Sequence, residues 1–217
     1  MKYKLAIFDM DGTILDTLVD LANAVNHALA VTGKPQRSLM EVRSYLGNGM
    51  LNLIRLSAPE GTSPRELEGI KDIFTEYYKT HCKDNTKPYG GIVELIAELR
   101  QKGMLTAVVS NKPDFGVQLL VEQHFPTSFD AFVGEKAGIA KKPAPDSVNA
   151  VLAQLGIARE DAVYIGDSEV DLATAKNAQM QDIIVTWGFR DEAYLLEQKP
   201  TIVVHSVEEL RQELLKA

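Results

Sequence analysis

Cysteine is nearly missing from this 217-residue sequence, with Cys82 the single example. An intrachain disulfide framework is therefore excluded, and a reducing, cytoplasmic setting fits best. Cys82 sits in the polar stretch YYKTHCKDN, without the neighbours that activate a nucleophilic thiol. Long apolar runs are also missing, and none approaches the roughly 20 residues that span a bilayer. The opening MKYKLAIFDMDG begins basic, but acids follow its short apolar stretch at once, unlike a signal peptide. Positive charge is outnumbered, 23 Lys and Arg against 30 Asp and Glu, and the formal net charge of −7 argues against nucleic acid as a bulk partner; without a spanning run, no membrane partner is expected. An anionic substrate would need a local cation to overcome that field. The four histidines, His27, His81, His124 and His205, lack metal-ligand spacing and read as structural. Repeats and low-complexity tracts are absent, and nothing sets an oligomeric state.

What the chain does contain is an alternation of strand and helix patterns, the signature of a parallel sheet with helices on both faces. Strands are predicted at Tyr3–Phe8, Leu105–Val109, Ala131–Val133, Ala162–Ile165, Asp182–Thr186 and Thr201–Val204. Continuous apolar runs such as TAVVS and DIIVTW suit strands buried on both faces. Between them, Ile92, Leu95, Ile96 and Leu99 form a helical stripe that Gly103 stops. Val148, Val151, Leu152 and Leu155 form another, ended by Gly156. Ser206 and Glu209 are spaced as a capping box for a last helix.

One region breaks the alternation. From Thr17 to about Thr86 the signals are helical only: an apolar face at Leu18, Leu21, Val25, Ala28 and Leu29, then capping boxes at Ser38/Glu41 and Ser63/Glu66. Pro64 occupies the favoured first helical position. Such a stretch is too long for a loop. The expectation is an α/β core, residues 1–16 and 87–217, interrupted by a small all-helical domain, residues 17–86.

Ligands of parallel α/β sheets bind beyond the carboxyl ends of the strands. Asp9, Asp11, Gly12 and Thr13 come after the first strand, and Ser110, Asn111 and Lys112 after the second. KKPAPD offers Lys141 and Lys142, and GDSEVD offers Asp167 and Asp171. Each piece also has a plain structural reading. Ser110-Asn111 suits a strand-ending turn, Lys141-Lys142 a solvated pair, and Asp171 a helix cap. Asp16 and Asp20 read as cap or solvated surface residues, Trp187 as packing and Lys112 as solvated. Taken together the pieces converge on one sheet edge.

The segments DMDGT, SNK, KKPAP and GDSEVD, in this order, resemble the four motifs of the haloacid dehalogenase superfamily. The resemblance covers essentially the whole chain, including a helical cap after the first motif. FDMDGTILDT, VVSNKP and YIGDSEVDLATAKNA look most like the phosphoglycolate phosphatase group. It implies a Rossmann-like core and a phosphomonoester hydrolase of the aspartyl-phosphate type. Met10, Ile14 and Ser110 depart conservatively from the commonest pattern.

The residues support that chemistry from below. A carboxylate can attack phosphorus and divide one hard displacement into two, and Asp9, at the strand end, is the expected nucleophile. Asp11, two positions on, faces the same way and is the expected acid and base. Gly12 would let backbone amides approach the phosphate. A hard divalent cation, Mg²⁺, would offset the crowded negative charge, with Asp9 and Asp167 as side-chain ligands. By resemblance, Asp11 adds its carbonyl and Asp171 stands in or beside the ligand shell. Lys142 is expected on a phosphoryl oxygen, Ser110 on another, and the Asn111 amide on phosphate or substrate. Gly47, Asn48 and Gly49 fall between two cap helices, as a helix stop or as a loop approaching the substrate. The expected partner is a small phosphorylated metabolite, phosphoglycolate first. A sugar phosphomutase of the same superfamily would share Asp9, Asp11, Lys142 and Asp167. A halide-removing hydrolase would not need Asp11.

Overall fold

The computed structural model describes residues 2–216. In chain order it runs β1 (Leu5–Phe8), β2 (Leu15–Asp16), α1 (Leu18–Val31), α2 (Leu39–Tyr45), α3 (Met50–Ser57), α4 (Pro64–His81) and β3 (Lys87–Pro88). It continues with α5 (Ile92–Gln101), β4 (Leu105–Pro113), α6 (Asp114–His124), β5 (Ala131–Glu135), α7 (Asp146–Leu155) and β6 (Ala162–Gly166). The last elements are α8 (Glu169–Asn177), β7 (Gln181–Val185), α9 (Glu192–Glu197), β8 (Val203–Val204) and α10 (Val207–Leu215).

Six strands form one sheet in the order β5-β4-β1-β6-β7-β8, and every pairing is parallel. Counted along the sheet's own strands this is the doubly wound order, whose switch point lies where the path leaves β1 in opposite directions. The pleat divides the core. Leu5, Ile7, Ala107 and Val109 pack with Val148 and Val151 of α7 on one face. Ala6, Phe8 and Val108 pack on the other with Ile96 and Leu99 of α5, Leu120 of α6 and Leu210 of α10. Central strands covered on both sides explain the unbroken apolar runs.

The predicted strands are found, with informative shifts. β1 begins at Leu5 rather than Tyr3. β4 does not stop at Val109: it continues through Ser110, Asn111 and Lys112, where its register against β5 slips between Val109/Val133 and Pro113/Glu135. The anticipated strand-ending turn is thus an irregularity inside a strand, a device that re-aims side chains. At α10, Ser206 accepts from Glu209 N, but the Glu209 carboxylate reaches back to His205 N rather than to Ser206.

Residues 18–81 hold four helices and, among the described residues, no strand. Both capping boxes form, at Ser38/Glu41 and Ser63/Glu66. The flanks of this segment pair as a two-stranded antiparallel ribbon, Leu15 with Pro88 and Asp16 with Lys87. Asp20 is not a solvated surface residue. It is buried in α1 and accepts from Asn85 N and Nδ2 and from Thr86 N and Oγ1, at 2.8–3.0 Å. A carboxylate is tolerated there because backbone and side-chain donors replace its water. Asp20 therefore pins the returning chain against the start of the first helix. Replacing Asp20 by alanine strips those donors of their acceptor and should lower stability by about 2–4 kcal/mol in urea unfolding. A loss under about 0.5 kcal/mol, the scale of an ordinary surface change, would contradict this role.

Candidate active site

The site is assembled where β1, β4 and β6 end. Asp9 follows β1 directly, and its amide donates to Ile165 O, 2.8 Å, so the strand ladder carries it to the edge. The chain then turns tightly: Met10 O accepts from the amides of Thr13, Ile14 and Leu15 at 3.0–3.3 Å. Met10 points into the core with no exposure, while Asp9 and Asp11 line the opposite side. That is the pleat at work on an Asp-x-Asp spacing.

Asp9 Oδ1 accepts from Met10 N at 2.7 Å and faces Lys142 Nζ at 3.0 Å. No described residue donates to Oδ2, which leaves one oxygen of this carboxylate free. Asp167 is held from two sides, Oδ1 by Thr13 Oγ1 (3.0 Å) and Oδ2 by Phe189 N (2.8 Å). Two glycines let the backbone close on it: a Cβ at Gly12 or at Gly188 would stand 2.3 Å from Oδ2. The Gly12 amide donates to Leu15 O, and its missing side chain makes room for Asp167.

Asp171, in the first turn of α8, does cap its helix, accepting from Ser168 N and Oγ on Oδ2. The same oxygen takes Asp167 N, and Oδ1 takes Lys142 Nζ at 2.8 Å and Tyr164 Oη at 3.3 Å. Both oxygens are therefore occupied by protein donors. Asp9, Asp167 and Asp171 each present an oxygen within 4.8 Å of the others. Three buried carboxylates at that spacing fit a hard divalent cation, and Asp9 and Asp167 have the lone pairs best placed to hold one. The electrostatics agree. Burial, with Asp171 and Asp11 adding repulsion against the pull of Lys142, raises the Asp9 pKa to about 7. Burial and the charges of Asp171 and Asp9 raise that of Asp167 to about 8. Burial alone would lower Lys142, but Asp171 and Asp9 outweigh it and keep the ammonium charged.

Ser110 is buried at the cavity wall, its hydroxyl accepting from Lys112 N at 3.3 Å. The Asn111 amide is engaged within the protein. Nδ2 donates to Gly47 O and Lys142 O, and Oδ1 accepts from Lys142 N, all at 2.8–3.0 Å. It ties the loop of Gly47 to the loop of Lys142. Lys142 itself lies behind Asp9, 2% exposed, with Tyr164 Oη 3.0 Å away. Gly47 and Gly49 line the cavity, and Asn48 turns its carbonyl to Lys141 Nζ at 3.0 Å.

Lys112 is the clearest departure from expectation. It is 4% exposed rather than solvated, and its ammonium donates to both Asp11 oxygens at 2.8 and 3.1 Å. The slip in β4 turns it inward. Arg190 was also unforeseen. It bridges Glu169 and Leu46 O, fastening the helical segment to the core with a second pair, Arg43 and Asp191. Trp187 donates to Thr13 O at 3.1 Å as well as packing. Tyr164 and Thr13 carried signals in hindsight, polar tips inside or just after buried strands. Leu21, Leu46, Met50, Leu53 and Phe74 roof a cavity of about 50 Å³, floored by Asp9, Asp11 and Asp167.

Known proteins are similar to this chain in sequence and fold. The model of the haloacid dehalogenase-like hydrolase family matches residues 6–185. The chain belongs to that family. It is 32% identical to phosphoglycolate phosphatase 1 of Pseudomonas aeruginosa, over 95% of this chain and 78% of the relative. It is 31% identical to the phosphoglycolate phosphatase of Vibrio cholerae, over 98% and 97% of the two chains. A crystal structure from Lactobacillus delbrueckii subsp. bulgaricus superposes with a TM-score of 0.94 at 41% identity, covering 100% of both. These relatives place the chain among the phosphoric monoester hydrolases of the family. No described helix is long and apolar enough to cross a membrane.

The raised pKa values make metal binding sensitive to pH. A carboxyl whose folded pKa lies above its unfolded value favours the folded state through its proton. That contribution is lost as pH rises, here between about 4 and 8. A cation replaces those protons, so its stabilisation must grow over the same window. The rise in Tm on adding Mg²⁺ should be small near pH 5.5 and several-fold larger near pH 8, as read by differential scanning fluorimetry. An equal or larger rise at the lower pH would contradict the assignment of Asp9 and Asp167.

Proposed function

We propose that this protein is a Mg²⁺-dependent phosphomonoester hydrolase that works through an aspartyl phosphate on Asp9. Its substrate is a small phosphorylated metabolite, with phosphoglycolate the first to try. The observation that carries the reading is the state of Asp9: one oxygen oriented by Met10 N and Lys142, the other free beside the cavity.

Free Oδ2 is the attacking atom. Anchoring Oδ1 fixes the direction of attack, which is where positioning contributes to rate. Lys142 is held by Asp171 and Tyr164 so that its charge faces the same oxygen cluster. There it offsets negative charge as the phosphoryl group transfers, and the Ser110 hydroxyl donates to another phosphoryl oxygen. Asp11 lies on the leaving-group side. It protonates the departing alkoxide and then takes the proton of the water that hydrolyses the acyl phosphate. Asp9 and Asp167 would hold a divalent cation, which would supply charge neutralisation for phosphate and carboxylate together.

Residues 17–86 act in this reading as a cap domain hinged at the β2/β3 ribbon, over a core of 1–16 and 87–217. The loop at Gly47–Gly49 and the Arg190 latch close the seam, which excludes water and restricts the leaving group to something small. A cytoplasmic setting fits the single, buried Cys82.

Asp9→Asn cannot form the acyl phosphate, and kcat toward phosphoglycolate should fall at least about a thousandfold with Mg²⁺ present. Turnover within tenfold of the unaltered enzyme would overturn the nucleophile assignment. Asp11→Asn separates the second role: alkyl phosphates should lose far more in phosphorylation of the enzyme than aryl phosphates, whose leaving groups need no proton. Equal losses for both would show that Asp11 is not the acid.

A further inference from the structure

The roof of the cavity is apolar, from Leu21, Leu46, Met50, Leu53 and Phe74. A charged leaving group pressed against that wall would be stripped of water without compensation, at a cost no small substrate can offset. Any charge on it must meet a cation. Arg190 lines the cavity but is taken up by the Glu169 carboxylate and Leu46 O. Lys142 lies behind Asp9. Lys112 is the remaining candidate.

Its placement is unusual for a lysine. The stem lies along α6 where Gly116 leaves room, since a Cβ there would stand 3.3 Å from Lys112 Cε. The ammonium meets Asp11 on one side and, at 4.8 Å, the ring of Tyr78 on the other. Lysine carries three donors, and the Asp11 carboxylate does not exhaust them. Tyr78 comes from α4, lines the same cavity and is 1% exposed. Its hydroxyl oxygen faces the Lys112 ammonium beyond ordinary hydrogen-bond distance, and no described residue accepts its proton. Buried hydroxyls are nearly always paired, so an orphan beside a cation at a ligand cavity points to a missing acceptor.

We propose that Lys112 and Tyr78 together receive a carboxylate on the leaving-group end of the substrate, and thereby select short phosphorylated carboxylic acids. The inference rests on the phosphatase reading above and adds the residues that choose among its substrates. It also links recognition to chemistry. A substrate carboxylate that draws on the Lys112 donors loosens their hold on Asp11, which then turns to the ester oxygen.

The test compares phosphoglycolate with hydroxyethyl phosphate, an ester of the same length whose leaving group ends in a hydroxyl. Both need a proton on the leaving oxygen, so a defect in Asp11 lowers both, whereas loss of carboxylate recognition lowers one. The native enzyme with Mg²⁺ should prefer phosphoglycolate in kcat/KM. Lys112→Met should shrink that preference by about ten- to hundredfold, the usual worth of a hydrogen bond to a charged group. Tyr78→Phe, which keeps the ring and its packing, should shrink it by about three- to tenfold. A preference retained within twofold in Tyr78→Phe and in folded Lys112→Met overturns the proposal, as does a native enzyme without preference. p-Nitrophenyl phosphate separates carboxylate selection from phosphatase activity as such. If the native enzyme hydrolyses none of the three esters, the phosphatase reading itself fails.

Discussion

Mutual repulsion among buried carboxylates is the constraint to which the rest of this structure answers. Asp9, Asp167 and Asp171 bring oxygens within 4.8 Å of one another. At an effective dielectric near 20, each charged pair at that distance repels by about 3–4 kcal/mol. Three such pairs rival the whole stability of a typical domain, about 5–15 kcal/mol. The fold meets the charge with a lysine on Asp9 and Asp171 and with helix and loop amides on Asp171 and Asp167, and burial with the charge left over raises the pKa of Asp9 and Asp167. Such a cluster suits a divalent cation. In the proposed function that cation would precede the phosphoryl group at this edge.

Sheet topology concentrates the problem in one place. β1, β4 and β6 are adjacent and parallel, so the residues after each of them arrive at a single edge by the switch point. The helical segment then covers that edge from outside. Its fastenings are few and polar, at Arg43 through its side chain and at Leu46, Gly47 and Asn48 through backbone carbonyls. Such contacts re-form with water when broken, which suits the opening seam of the proposed cap more than an apolar one would.

Much of this was legible in the residues. Asp-x-Asp at a strand end, and a lysine before proline, placed Asp9, Asp11 and Lys142 at the edge because strand direction alone carries them there. Capping boxes at Ser38 and Ser63 were readable because they are local. Lys112 was not, since its burial depends on a register slip between β4 and β5 that involves two distant segments. Asp20 was hidden likewise: its donors come from Asn85 and Thr86, more than sixty residues on. The second reason for a glycine at position 12 was hidden too, because the atom that needs its space belongs to Asp167. Arg190 was within reach. Residues just beyond a strand's carboxyl end reach the site edge, and beyond β7 those include Trp187, Gly188, Phe189 and Arg190.

The role of Asp9 is the claim on which the account turns, because its one free oxygen is the reason to assign covalent chemistry at all. Borohydride trapping reads it directly. Enzyme mixed with Mg²⁺ and phosphoglycolate is quenched in acid within one turnover, reduced, digested and sequenced by mass spectrometry. Reduction of an aspartyl phosphate leaves homoserine. The account predicts homoserine at Asp9, dependent on substrate and on Mg²⁺. Homoserine at another aspartate, or an unmodified Asp9 during rapid turnover, would contradict it.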